Sequence, residues 1–166
     1  MTPPAPVDRT AFLLGVAGLL PQLAAVALIV IGRRDPTDMA WVPLMVGYGT
    51  ALVYGAVILS FLGGIWWGVA IRREQGQARL VAVAVLPSLV GVACVAAAGL
   101  TMPSGGPWPA IALGSALMLT LPVDRHLVAT GEVPANWMRL RVPLSLGLGL
   151  LTIAAGLLLI HMGEMR

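Results

Sequence analysis

The chain has no lysine and few charges of any kind. Ten arginines face seven acidic residues across 166 positions, and charged residues make up 10% of the whole. A soluble domain carries roughly 25% charged residues, so these side chains cannot cover a globular surface in water, and a soluble enzyme is excluded. The net charge of +3 is too small for the basic footprint of a nucleic-acid binder, so no nucleic-acid partner is expected. Cysteine occurs once, at Cys94, which rules out an intrachain disulfide. No Asp or Glu interrupts the long apolar runs, which deprives a proton or cation relay of an intramembrane carboxylate. The two histidines, His126 and His161, fall at opposite ends of the topology derived below and cannot share one metal or haem within a monomer. Ser60 and Ser88 have no base within helical reach, so nucleophilic catalysis lacks its activating partner. The expectation is a non-enzymatic protein with no catalytic residue, no metal site and no cofactor.

What is abundant is apolar. Hydrophobic residues make up 58% of the chain and the mean hydropathy is +0.92. Uncharged runs cover Thr10–Gly32, Met39–Ile71, Leu80–Val123 and Val142–Ile160. A membrane helix needs about 20 residues to cross roughly 30 Å of hydrocarbon. The first and last runs each fit one crossing, and the second is one long helix. The third must divide, and its break is Thr101-Met102-Pro103-Ser104-Gly105-Gly106-Pro107, where turn formers cluster. The sequence therefore predicts an all-α integral membrane protein, a single domain of five transmembrane helices near 11–32, 42–71, 80–100, 108–123 and 141–161. A disordered tail is expected over 1–9. No run alternates with the period of two that a barrel wall needs.

With five crossings the termini lie on opposite sides. Arg9, Arg72, Arg73, Arg79, Arg125, Arg139 and Arg141 fall on one side, against Arg33, Arg34 and Arg166 on the other. The arginine-rich side is cytoplasmic by the positive-inside rule, placing the N-terminus inside and the C-terminus outside. Trp41 and Trp108 then mark the outer boundary, and Trp66, Trp67 and Trp137 the inner one, as an aromatic belt would.

Three groups of residues stand out. In the second helix Ala56, Ser60, Gly64 and Gly68 recur every four residues, a small-residue stripe that lets another helix backbone come close. It serves either internal packing or docking of a partner. Pro21-Gln22 and Pro87-Ser88 place a helix-bending residue beside a polar one inside a span; such breaks line transport sites in carriers and equally shape small bundles. Asp124 ends the fourth helix while Arg139 and Arg141 begin the fifth. An ion pair between these neighbouring ends is a structural clamp, and the arginines alternatively bind anionic lipid headgroups.

The run from Tyr54 to Gly68, with Gly63-Gly64-Ile65-Trp66-Trp67-Gly68 at its end, resembles the signature of a family of uncharacterised membrane proteins. That family is found in proteobacteria and mitochondria and includes the human transmembrane protein sixty-nine. Leu86-Pro87-Ser88, Asp124, Pro134-Ala135-Asn136-Trp137 and Leu140-Arg141 fit the same pattern. Met138 departs from it, standing where a tyrosine is expected. The resemblance implies a five-helix inner-membrane protein and supplies no catalytic residue. Composition, pattern and resemblance together lead to two expectations. The first is a scaffold or accessory factor in a bacterial inner membrane, surrounded by lipid and binding another membrane protein or a second copy of itself. The second is a small carrier or channel for an uncharged or anionic solute, with a water-accessible cavity near Gln22, Tyr54 and Ser88.

Overall fold

A computed structural model provides the fold, and its described residues are 9–34, 39–100 and 106–163, with side chains to 159. The elements are α1 (Arg9–Ala17), α2 (Leu20–Arg34), α3 (Trp41–Ile71), α4 (Gln77–Leu100), α5 (Trp108–Leu119), α6 (Leu121–Ala129) and α7 (Trp137–Gly163). They compose five helices long and apolar enough to cross a membrane, with α1 and α2 forming one and α5 and α6 another. The described residues contain no strand. The expected tail falls outside them except for Arg9, which opens α1, and so does most of the turn between the third and fourth spans.

Helix ends differ from expectation in two places. The fourth span runs on to Ala129 rather than stopping at 123, so Asp124 lies within the span, in the first turn of α6, instead of ending it. The fifth begins at Trp137, which makes Pro143 an interior proline. The breaks within spans follow from backbone chemistry. At Gly18–Leu19 the Gly18 N–H reaches the carbonyls of Leu14 and Gly15, at 3.2 and 3.0 Å, and Leu19 N–H reaches Val16 at 2.9 Å. That tightened turn lets α2 restart with Pro21 near its N-terminus, where the missing N–H has no partner to lose. Thr120 separates α5 from α6 in the same manner, with Pro122 near the start of the new segment. Pro87, by contrast, stands inside α4, which stays helical from Gln77 to Leu100.

Helix α3 is the hub. It packs chiefly on α2 and α4 and more lightly on α5 and α7, while α5 lies along α7. Lipid supplies no hydrophobic drive between helices, so close backbone approach has to hold the bundle. Gly47 provides it towards α2, since a Cβ there would stand 2.6 Å from the Ala25 carbonyl oxygen, and Gly63 provides it towards α4 at Ala84 and Pro87. Gly114 and Gly149 do the same between α5 and α7. The buried core that results includes Ala25, Ile29, Ala51, Leu59, Leu113 and Leu117.

The expected small-residue stripe divides. Ala56 packs against Gly91 of α4, Ser60 is half-buried, and a Cβ placed on Gly64 or Gly68 would meet no atom of another helix within 4 Å. The internal face of α3 is instead Gly47, Ala51, Gly55, Leu59 and Gly63, turned by one residue, or about 100°. Of the two uses open to the stripe, internal packing does not apply at Gly64 and Gly68.

Candidate functional site

The most developed polar site lies where α3, α6 and α7 converge. Arg141 Nε donates to Asp124 Oδ2 at 2.7 Å, with the two side chains only 7% and 2% exposed. Trp66 Nε1 donates to the other carboxylate oxygen, Oδ1, at 2.9 Å. Arg141 Nη2 also reaches Thr120 Oγ1 at 3.2 Å, and Thr120 donates its own proton to the Leu117 carbonyl at 2.7 Å. Each piece has a local cause. Proline near the start of α6 fixes the turn that presents Asp124 one helical turn beyond Thr120. The early start of α7 carries Arg141 past its first turn and into the bundle. The buried charge is thus matched by a cation and by an indole N–H that itself needs a partner when buried. Both oxygens of Asp124 are engaged, so the hydrogen bonds of this one carboxylate tie α3, α6 and α7 together.

Arg139, the other arginine singled out from sequence, is exposed and takes no part in this cluster. The sequence did not single out Trp66 or Thr120. The sequence places Trp66 only in the inner aromatic belt; the structure buries it, unlike Trp67 beside it and Trp41 and Trp108 at the other boundary.

A second ion pair lies just outside the spans. Gly131, at φ 75°, reverses the chain after α6, and Glu132 N–H reaches back to the Leu127 carbonyl at 3.0 Å. This sets Glu132 against Arg73, in the turn after α3, with paired contacts of 2.5 and 2.6 Å. Thr130 Oγ1 adds a third at 2.7 Å. Hydrogen bonds from Arg73 and then Thr130 hold the Glu132 carboxyl below the usual carboxylate range, against a small opposing effect of burial.

The third site is neutral and deeper. Gln22 is fully buried; its Nε2 donates to Thr152 Oγ1 at 2.7 Å and more weakly to the Ala51 carbonyl at 3.4 Å. Thr152 passes its proton to the Leu148 carbonyl at 2.7 Å. Gln22 Oε1 has no partner. Thr152 lies eleven residues along α7 from Arg141, about 16 Å of helix, so this site is near mid-membrane. Tyr54 Oη donates to the Gly18 carbonyl at 2.5 Å, covering the break that precedes Pro21. Ser88 is half-buried on α4, and no hydrogen bond joins it to Gln22 or Tyr54 among the described residues. Cys94 is buried on α4, and no group of three or more His, Cys, Asp or Glu able to hold a metal occurs among the described residues.

Against known proteins, a family model described as a protein of unknown function (DUF3429) matches residues 7–158. The chain belongs to the DUF3429 family. No curated protein and no solved structure matches it. The matched stretch contains the Asp124 clamp, the Arg73–Glu132 pair and the Gln22 site, so all three lie within the DUF3429 domain.

Proposed function

We propose that this DUF3429 protein is a non-enzymatic accessory or assembly factor that binds another membrane protein laterally, through the outer face of α3. The observation that carries the reading is the open space over Gly64 and Gly68. Those two glycines make a shallow strip between larger side chains that are themselves uncovered, Phe61 and Trp67 among them. A strip of this shape accepts a partner helix at close range, gaining dispersion and weak Cα–H···O contacts where lipid tails fit less well. The arginine distribution supports an N-terminus on the cytoplasmic side, and the resemblance to proteobacterial and mitochondrial proteins supports a bacterial inner membrane. Kinship with human transmembrane protein sixty-nine belongs to the same proposal.

The test is recovery of the tagged protein from native membranes in mild detergent, with mass spectrometry of what comes with it. A stoichiometric membrane-protein partner is expected for the wild type. It is lost in Gly64→Leu/Gly68→Leu, while helix content and thermal stability stay within about 0.5 kcal/mol because the residues meet nothing inside the bundle. Recovery of the protein alone, or capture unaffected by the double variant, overturns the reading. The carrier reading keeps one supporting observation, the unpaired Gln22 Oε1 near mid-membrane. Water-soluble thiol reagents reacting with cysteines placed at Gln22 and Ser88, with Cys94 replaced, would favour it over docking.

A further inference from the structure

The seam between α4 and the α5–α6 pair is the open joint of the bundle. Helix α4 is locked onto α3 at Gly63 and Gly91, and α5 onto α7 at Gly114 and Gly149. Backbones approach closely on both flanks, but the joint between them stays unfilled. A groove of about 440 Å³ opens at the end where Arg73, Arg79 and His126 lie. It shares Val83 and Val123 with a second hollow of about 250 Å³, walled in part by Pro87 and Leu119. That hollow shares Val90 with a third, apolar one, which ends at Trp108. The seam is therefore greasy along its length and cationic at one end.

Charge and length both identify an occupant. The Arg73 guanidinium is already committed to Glu132. Arg79 is exposed at the mouth, and no carboxylate of the described residues stands within ion-pair distance of it. From Arg79 to Val90 is eleven residues of α4, about 16 Å. That is half of a roughly 30 Å hydrocarbon core, the depth of one leaflet. We propose that this seam binds an anionic diacyl phospholipid of the adjoining leaflet, its phosphate at Arg79 and His126 and one acyl chain laid along Val83 to Val90. The hollow reaches α3 only at the buried Leu59 and Trp66; Gly64 and Gly68 do not line it, so the site does not depend on the docking face proposed above.

The experiment is native mass spectrometry of the delipidated full-length protein, titrated with phosphatidylglycerol or with phosphatidylcholine of the same chains. One phosphatidylglycerol is expected to be held about five-fold more tightly than phosphatidylcholine, the contribution of one arginine near an anionic surface. Arg79→Gln brings phosphatidylglycerol down to the phosphatidylcholine value. Arg139→Gln, which removes an exposed arginine of α7 outside the seam, leaves it unchanged. Val90→Trp fills the hollow and weakens both lipids; Leu119→Trp, on the facing wall and 70% exposed, repeats that test should the first variant fail to fold. Equal retention of the two lipids by the wild type overturns the proposal. So does an Arg139→Gln effect as large as that of Arg79→Gln, or undiminished binding in a folded tryptophan variant.

Discussion

Asp124–Arg141 and Arg73–Glu132 close the same end of the bundle, the first with side chains 2% and 7% exposed, the second with 23% and 22%. The outer pair has the denser set of short contacts, with two guanidinium nitrogens and a threonine on one glutamate. The inner pair has one direct contact and depends on Trp66 and Thr120 to complete it. Contact geometry alone would rank the outer pair as the stronger. Burial reverses the order. Water screens the outer pair and would solvate either partner left alone, so its worth is about 0–1 kcal/mol. The inner pair has no such recourse, and its value lies in what happens when half of it is missing.

The sharpest test of that ranking is to remove one inner partner. Arg141→Met strands Asp124 among three helices and is expected to destabilise the protein by about 3–5 kcal/mol, measured by denaturant unfolding in detergent. Asp124→Leu in the same chain should restore part of the loss, because the uncompensated charge is then gone. A single variant costing no more than the outer pair would break the comparison. Next in size is Trp66→Phe, which keeps an aromatic side chain, though a smaller one, but takes one hydrogen bond from a buried carboxylate, a loss of about 1.5–3 kcal/mol. A loss below about 0.5 kcal/mol would show that Arg141 alone satisfies Asp124.

How far these sites were legible in the sequence depends on the separation of the partners. The five crossings follow from run length against bilayer thickness, and a short loop joins the ends that bear Asp124 and Arg141, so their pairing could be expected. Trp66 could not be assigned, because an interfacial tryptophan facing lipid and one turned inward occupy the same place in a sequence. Gln22 and Thr152 lie 130 residues apart, and nothing local connects them. The packing face of α3 was ambiguous for a different reason. Gly55-Ala56 and Gly63-Gly64 are doublets, so two stripes one residue apart both repeat every four positions. Only the facing backbone atoms at Ala25 and Ala84 decide that Gly47 and Gly63 are on the inner one.

The outer pair supplies a smaller, pH-dependent prediction. Glu132 is held below its ordinary value when folded, so the unfolded chain takes up the proton first. Its stabilisation is present in full above the ordinary glutamate range and is lost as pH falls through the depressed folded value. Arg73→Gln should cost no more than about 1 kcal/mol at neutral pH, after allowing for solvent screening, and should remove this part of the acid dependence. A neutral-pH loss approaching that of Arg141→Met would mean that exposure does not separate the two pairs.

Gln22 asks whether burial alone, without charge, makes a polar group costly to change. Interhelical hydrogen bonds in membranes average about 0.6 kcal/mol, because the unfolded chain in the bilayer also finds partners. Gln22→Met gives up the bond to Thr152 and the long, weak one to the Ala51 carbonyl, and at the same time removes the unpartnered Oε1, which carries a desolvation penalty of its own. Thr152 is not orphaned by the change, since its proton still goes to the Leu148 carbonyl. The two effects oppose each other, and the net change is expected to lie within about 0.6 kcal/mol of zero, in either direction. A much larger loss would mean that Gln22 Oε1 has a partner in the membrane that lowers its cost, and a water or polar solute reaching that depth would be the one to look for.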